Sequence, residues 1–352
     1  MKEALVHPDG QTVTIVDSPV PTPKENQLLI KVVVAGTNPK DWKMPPHYPP
    51  DHSPFNQGDD MAGYVERLGP GVRGFAVGDK VAAFHRVTGE HGAWAEFALA
   101  EANTVFHLGE GTSFEEAATI PLTAATAALG LYQQMRLPLP WNPLPDNEKF
   151  PLIIYGGATA VGAFAIKLAS LSNIHPLITI AGKGIPYVES LIDRSKGDVI
   201  IDYRQGDDKI RQKIKNALGD HMIHYAYDAV SEHGSIQNIG AVLSAPGEIA
   251  SVLPPGDYEA PSIKIEQRYA GSVHMPPRDG AVTGDQEFGT AIFRFIEKGL
   301  EKGWFSGHPF GVRPGGLAGL EGALKDLKEG KASAVKYVVR IGETEGVDAA
   351  RV

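Results

Sequence analysis

The segment best suited to chemistry is Gly156-Gly157-Ala158-Thr159-Ala160-Val161-Gly162, which follows the apolar run Leu152-Ile153-Ile154-Tyr155 and precedes the helical pattern AVGAFAIKLASLS. A strand, a turn of small residues and a helix in that order let the backbone approach a pyrophosphate, whose charge then sits at the positive end of the helix dipole. The candidate contacts are Gly157, Ala158, Thr159, Ala160 and Val161. Thr159 stands where the usual middle glycine would be, so the G-x-G-x-x-G form is not met, but its hydroxyl can donate to a phosphate oxygen. The competing reading is a tight strand-to-helix turn that binds nothing, and the flanking elements are what favour a nucleotide.

The type of nucleotide is read after the next strand, PLITIA. There an acidic side chain would hold the ribose 2′-hydroxyl of NAD. The sequence instead gives Ala181-Gly182-Lys183-Gly184, in which a lysine suits a 2′-phosphate, so the expected cofactor is NADPH or NADP. Beyond the third strand, Asp202-Tyr203-Arg204 offers an aromatic ring and a cation for the adenine end. Lys183 also reads as an ordinary solvated loop lysine, and Tyr203 as a residue at a core edge.

Several classes of function are excluded by composition. The chain of 352 residues has no Cys, which removes disulfides, thiolate zinc sites, iron–sulfur clusters and Cys nucleophiles together. His52 and His85 each lack a close cluster of ligands, so no metal site is expected. The 33 Lys and Arg are scattered among 42 Asp and Glu for a net charge of -9, which argues against nucleic-acid or anionic-membrane partners. No run of about 18 apolar residues is present to span a bilayer, nor is a secretory signal evident, so a cytoplasmic protein is expected.

Two domains are expected at this length. In the first third, short segments (LLIKVVVAG, AGYVERLG, DKVAAF, GAWAEFALA) alternate between turn signals as in a β-barrel. From Phe114 the pattern becomes helical through FEEAATIPLTAATAALGLYQQM, and the Pro-dense stretch from Leu137 to Pro151 reads as a loop. Strands and helices then alternate through HYAYDAV, which predicts an α/β, doubly wound parallel sheet. The helix FGTAIFRFIEKGLEKG, the amphipathic GLAGLEGALKDLKEGK and the strand AVKYVVRI close the chain. The expected division is 1–124, 125–290 and 291–352, with the last part returning to the first.

In their order along the chain, a further set of segments resembles the medium-chain dehydrogenase/reductase superfamily. These are Gly58-Asp59-Asp60-x-Ala62-Gly63, Gly69-Pro70-Gly71-Val72, Phe75-x-Val77-Gly78-Asp79-Lys80-Val81, Gly92-Ala93-x-Ala95-Glu96-Phe97 and the run from Phe114 to Ala127. Within it, Asn38-Pro39-Lys40-Asp41-Trp42-Lys43, Leu137-Pro138-Leu139-Pro140-Trp141 and Tyr155-Gly-Gly-Ala-Thr-Ala are similar to the fungal trans-acting enoyl reductases and the quinone-oxidoreductase-like enzymes. The resemblance implies a GroES-like catalytic domain built from both chain ends around a Rossmann domain, with the cofactor in the cleft between them. It implies cofactor contacts from Asn38, Pro39, Lys40, Asp41, Val252, Leu253, Ser333 and Ala334, besides the glycine turn, Ala181 to Gly184 and Tyr203. Lys43 and Thr126 would lie near the nicotinamide and substrate as hydrogen-bond donors, although they also read as a surface lysine and a helix-interior threonine. Asp41 would orient Lys43 or contact the cofactor amide, and Asp60 would be structural.

Zinc-dependent relatives place Cys where Asn38 stands and His-Glu where Asp59-Asp60 stands, together with a four-Cys lobe, and none of these is matched. The resemblance therefore implies zinc-independent reduction of an activated carbon–carbon double bond by NADPH in secondary metabolism, with a small-molecule or carrier-bound acyl substrate. Quinone or carbonyl reduction, dehydrogenation of a biosynthetic intermediate and a non-catalytic nucleotide-binding role stay open. A monomer is favoured over a dimer, with a synthase as a possible partner. The loops Met44 to Pro54 and Ser272 to Met275 would shape the pocket.

Overall fold

The computed structural model describes residues 1–49, 52–256, 258, 260–276 and 284–348; Pro50 and Asp51 of the expected pocket loop lie outside the described residues. The chain divides into two compact units, Met1–Leu122 with Gly271–Val352, and Thr123–Ala270.

The first unit is dominated by β-structure. Strands β1 (Lys2–Val6) and β2 (Val13–Asp17) pair antiparallel. A seven-stranded sheet takes β3 (Gln27–Gly36), β4 (Asp60–Leu68), β5 (Lys80–Phe84), β6 (Phe97–Glu101) and β7 (Val105–His107) from the N-terminal part, with β14 (Phe310–Arg313) and β15 (Lys336–Arg340) from the C-terminal part. β3 is its hub, pairing antiparallel with β4, β6 and β15. Period-two alternation carries Leu28, Ile30 and Val32 of β3 inward to meet Met61, Val81, Trp94 and Val339 in one buried cluster. Leu317, Leu320 and Leu324 join that cluster, the last two from α9 (Leu320–Lys328).

The second division falls at 270/271, not at 290. The segment ahead of α8 (Gln286–Lys302) is tied into the first unit by its own polar groups. The Val273 carbonyl accepts from Asn103 Nδ2 at 2.8 Å, and His274 Nε2 lies 3.0 Å from the Phe84 carbonyl.

The second unit is a parallel six-stranded sheet in the order β10-β9-β8-β11-β12-β13. These strands are β8 (Leu152–Tyr155), β9 (Leu177–Ala181), β10 (Val199–Asp202), β11 (Tyr225–Asp228), β12 (Gly247–Ser251) and β13 (Ile263–Gln267). Every residue of β8 and β9 is buried, as an apolar run covered on both faces must be. Helices α4 (Ala160–Leu171), α5 (Ile185–Glu189), α6 (Asp207–Leu218) and α7 (Ser235–Gly240) connect the strands. Ile210 and Ile214 of α6 and Ile236 and Ile239 of α7 complete the core around Ile153, Ile178 and Ile249. The strand order runs one way from β8 to β10 and the other way from β11 to β13. The topological switch point, where doubly wound sheets bind ligands, therefore falls at the carboxyl ends of β8 and β11.

The helical stretch after Phe114 is broken into pieces. α2 (Phe114–Ala117) ends before Pro121, which opens α3 (Pro121–Ala128), and a π-type turn follows over Leu129–Gln134. Proline cannot continue a preceding helix, which fixes the first break. Gly130 belongs to the π turn because a Cβ there would stand 2.4 Å from the Tyr227 ring.

Two acids in succession, Asp59 and Asp60, enter the buried start of β4 and need partners. Asp60 Oδ2 accepts from Lys336 Nζ and from Asn38 Nδ2, both at 2.6 Å, and its Oδ1 accepts from the Leu122 N–H at 2.6 Å. Lys336 is 4% exposed, so β15 is held to β4 by a closed ion pair. Removing one partner of such a pair costs about 3–5 kcal/mol. Lys336→Met should lower the unfolding free energy in urea by that amount, and adding Asp60→Asn should recover much of it. A loss below about 1 kcal/mol in the single variant would contradict the closed pair.

Candidate cofactor and active site

In the second unit, Gly156 has φ +82°, a left-handed conformation that favours glycine. A Cβ on Gly157 would lie 2.1 Å from Thr179 Cγ2, and one on Gly162 would lie 2.3 Å from the Gly156 carbonyl oxygen. These glycines thus let α4 pack tightly against the strand ends. Thr159 is the N-cap of α4, and its hydroxyl oxygen accepts the Gly162 N–H at 3.0 Å. That bond leaves the hydroxyl hydrogen available, so Thr159 can cap the helix and donate to a phosphate at once. The first N–H groups of α4, from Ala160 and Val161, have no partner inside the helix, and they point to the same end. Ala158 lies within the turn. Small residues, an exposed capping hydroxyl and a helix N-terminus at the switch point together fit a dinucleotide pyrophosphate.

The residues expected at the adenosine end lie in the segments after β9 and β10. Ala181 is the last residue of β9, and Gly182 lies beneath the half-exposed Tyr203, since a Cβ on Gly182 would stand 2.3 Å from that ring. Lys183 and Gly184 complete the turn, and Lys183 is exposed with no ion pair among the described residues. Arg204 is committed elsewhere, because its guanidinium grips Asp202 through Nε at 2.8 Å and Nη2 at 2.7 Å. Those hydrogen bonds hold the Asp202 carboxyl at about 2. Of the two expected cations, Lys183 and Arg204, Lys183 is thus the one without an ion pair among the described residues. Val252 and Leu253 follow the carboxyl end of β12, where the Val252 N–H bonds Ser231 Oγ at 3.0 Å. Thr126 sits in α3, half-buried, and its carbonyl accepts from the Tyr227 hydroxyl at 2.8 Å.

The first unit holds the remaining candidates. Asn38 and Pro39 lead into the single-turn helix α1 (Lys40–Lys43). Asp41 is fully buried, and its Oδ2 accepts the Asn38 N–H at 2.7 Å, which closes the turn. Lys40 Nζ lies 3.0 Å from Asp41 Oδ1 and 2.6 Å from Asp59 Oδ2, and donates to the Gln57 carbonyl at 2.7 Å. Asp59 Oδ1 in turn lies 3.2 Å from His85 Nδ1. Burial works against the Lys40 charge, but Asp59 and Asp41 outweigh it and hold the ammonium above its ordinary range. Burial also opposes ionisation of Asp59, yet Lys40 and His85 keep its carboxyl low. For Asp41 burial prevails, reinforced by the charge of Asp59 against the pull of Lys40, and the carboxyl is pushed up to about 7.

Lys43, at the end of α1, places its ammonium 5.2 Å from the centre of the Trp42 ring. Asp41 engages Lys40 and the Asn38 backbone, where orientation of Lys43 or contact with the cofactor amide is the expectation. Ser333 and Ala334 form the turn ahead of β15, and Ala334 has φ +50°. The Lys40–Asp59–His85 and Lys336–Asp60 contacts join residues 19 to 276 positions apart, so spacing alone could not pair them. The available signal was the tandem Asp59-Asp60 at the head of an apolar strand. Among the described residues no group of three or more His, Asp or Glu is arranged to hold a metal ion, and no helix is long and apolar enough to cross a membrane.

The raised Asp41 carboxyl gives a signed expectation. A folded Asp41 binds its proton more tightly than an unfolded aspartate at 3.8, so its stabilising effect is full below that value and is lost as pH rises to about 7. Relative to Asp41→Asn, the wild type should lose stability between pH 4 and pH 7 by roughly 1 kcal/mol per unit at the steepest point. Urea unfolding of both proteins across that range measures it, and a constant difference would contradict the assignment.

Comparison with known proteins agrees with this arrangement. The alcohol dehydrogenase GroES-like domain matches residues 24–110. A trans-enoyl reductase of Gibberella fujikuroi is 43% identical over 322 residues, covering 91% of this chain and 92% of that protein. A trans-enoyl reductase of Alternaria alternata is 30% identical over 354 residues, covering 97% and 99%. A mycobacterial protein solved in complex with NADPH superposes with a TM-score of 0.74 at 22% identity, over 97% of this chain and 99% of that one, which shows a shared fold. Full-length identity to these relatives, joined to the two-unit architecture, makes the chain a member of the medium-chain dehydrogenase/reductase superfamily, where it stands with the trans-enoyl reductases.

Proposed function

We propose that this chain is an NADPH-dependent, zinc-independent reductase of a carbon–carbon double bond conjugated to a carbonyl or thioester, acting on a small-molecule or carrier-bound acyl substrate of secondary metabolism. The observation that carries the reading is the Gly156–Gly162 turn, with its capping Thr159, at the switch point of the parallel sheet. The names of the full-length relatives support enoyl reduction as the reaction. The absence of an acid after β9, with Lys183 unpaired there, supports the phosphorylated form of the cofactor.

NADPH supplies hydride to the β-carbon when bound. The chain must then stabilise negative charge growing on the carbonyl oxygen, and without a Lewis acid this falls to positioned hydrogen-bond donors. Lys43, with a full charge and three N–H donors, and the Thr126 hydroxyl are suited to that task. Asn38 and Pro39 lead into the α1 turn that carries Lys43, and buried Asp41 and Asp60 hold Asn38 in place.

Two substitutions test separate parts of this reading. Lys43→Ala should bind NADPH as the wild type does and turn over an enoyl thioester about a hundredfold more slowly, the cost of one lost transition-state donor. Unchanged turnover would remove Lys43 from the chemistry. Lys183→Ala should weaken NADPH roughly tenfold or more while leaving NADH unaffected, as expected for one charge-assisted contact. Equal effects on both cofactors, measured by fluorescence titration, would remove Lys183 from 2′-phosphate recognition.

A further inference from the structure

Double-bond reduction consumes a proton as well as an electron pair, and the first unit holds a chain of ionisable groups suited to supply it. Asp41, Lys40, Asp59 and His85 follow one another at 3.0, 2.6 and 3.2 Å. Their side chains are 0%, 18%, 2% and 3% exposed, so Lys40 is the most open of the four. At the other end His85 Nε2 lies 3.0 Å from the Glu90 carbonyl, and His85 forms part of the wall of a polar cavity of about 260 Å³ with Lys24, Arg86, Glu90, His91 and Glu101. Tyr48 flanks Lys40 and Asp59, while Arg86 and His274 flank His85.

Both neighbours of the His85 ring are acceptors, so the ring satisfies both only as the imidazolium. In that state the charges of Lys40 and His85 balance those of Asp41 and Asp59. With the ring neutral, one proton on Asp41 restores the balance. The buried cluster is thus neutral with its exchangeable proton at either end, and a buried cluster resists any other count. The elevated Asp41 carboxyl agrees with a proton stored there.

We propose that Lys40, Asp41, Asp59 and His85 form a proton store that draws on the polar cavity and through which Lys40 protonates the α-carbon of the reduced substrate. The proposal rests on the reading of the chain as a double-bond reductase. As hydride reaches the β-carbon, the electron pair of the double bond moves toward the carbonyl. Lys40 turns one N–H away from the Gln57 carbonyl, that N–H bond breaks as the α-carbon–hydrogen bond forms, and a neutral amine is left. Asp41 returns a proton to the amine. His85 then takes a proton from water in the cavity, which restores neutrality, and the store refills as that proton is relayed through Asp59 and Lys40 back to Asp41. One hydride and one proton enter per saturated product.

The test uses the whole chain in two arms. Without cofactor or substrate, nitrogen-15 NMR of labelled lysine should show Lys40 ammonium hydrogens exchanging with water about tenfold more slowly in His85→Gln than in wild type. With saturating NADPH and an enoyl thioester, Lys40→Arg should fold, since its guanidinium keeps both ion pairs. It cannot release a proton, so turnover should fall about a hundredfold. His85→Gln should lose turnover, show a larger solvent isotope effect and regain rate with added imidazole. Full activity in Lys40→Arg, or unchanged ammonium exchange in His85→Gln, would overturn the store. A wild type inert toward every enoyl thioester and enone would instead sink the functional reading, and the exchange arm would still decide whether the store exists.

Discussion

Everything in the first unit is arranged around two neighbouring carboxylates, Asp59 and Asp60, at the buried start of β4. Successive residues of a strand face opposite ways, so the two acids require separate partners. Asp60 meets Lys336 and Asn38, which binds the C-terminal strand to the N-terminal sheet. Asp59 meets Lys40 and His85, which anchors the α1 turn. A buried charge left alone is far more costly than the pair is favourable. The same two contacts therefore fix both the closure of the sheet and the seat of the candidate active-site turn.

This arrangement also bears on the proposed zinc-independent chemistry. Where zinc-dependent relatives carry Cys and a His-Glu pair, Asn38 donates to Asp60, and Asp59-Asp60 are occupied with lysines and an imidazole of the same chain. Ammonium groups neutralise the carboxylates that a metal would otherwise meet. In the proposed reaction, polarisation of a substrate carbonyl falls to hydrogen-bond donors, a task that needs rigidity more than charge. The closed turn over Asn38 to Lys43 supplies it.

The sequence makes the second unit readable because its signals are local. LIIY and LITI are buried on both faces, and the small-residue turn lies between a strand and a helix as expected. Strands β3, β4 and β5 are equally legible from alternation and turn residues. GAWAEFALA yields a strand only from Phe97 onward, because Trp94 turns inward and bonds the Gly36 carbonyl through its indole nitrogen. The single helix read after Phe114 is three pieces, since Pro121 and the close approach of Tyr227 to Gly130 override its apolar period. The ion pairs were not legible, because they join residues far apart in the chain. Asp41 is expected to orient Lys43 or contact the cofactor amide, and the turn directs its carboxylate to Lys40 and the Asn38 backbone.

In the proposed function hydride chemistry proceeds with hydrogen-bond donors of the chain in the place of a metal. Elemental analysis of the purified protein, paired with NADPH oxidation by an enoyl thioester before and after exhaustive chelation, tests it most directly. The account predicts no stoichiometric zinc and a rate unaffected by the chelator. One zinc per chain, with activity lost on its removal and restored on its return, would contradict it.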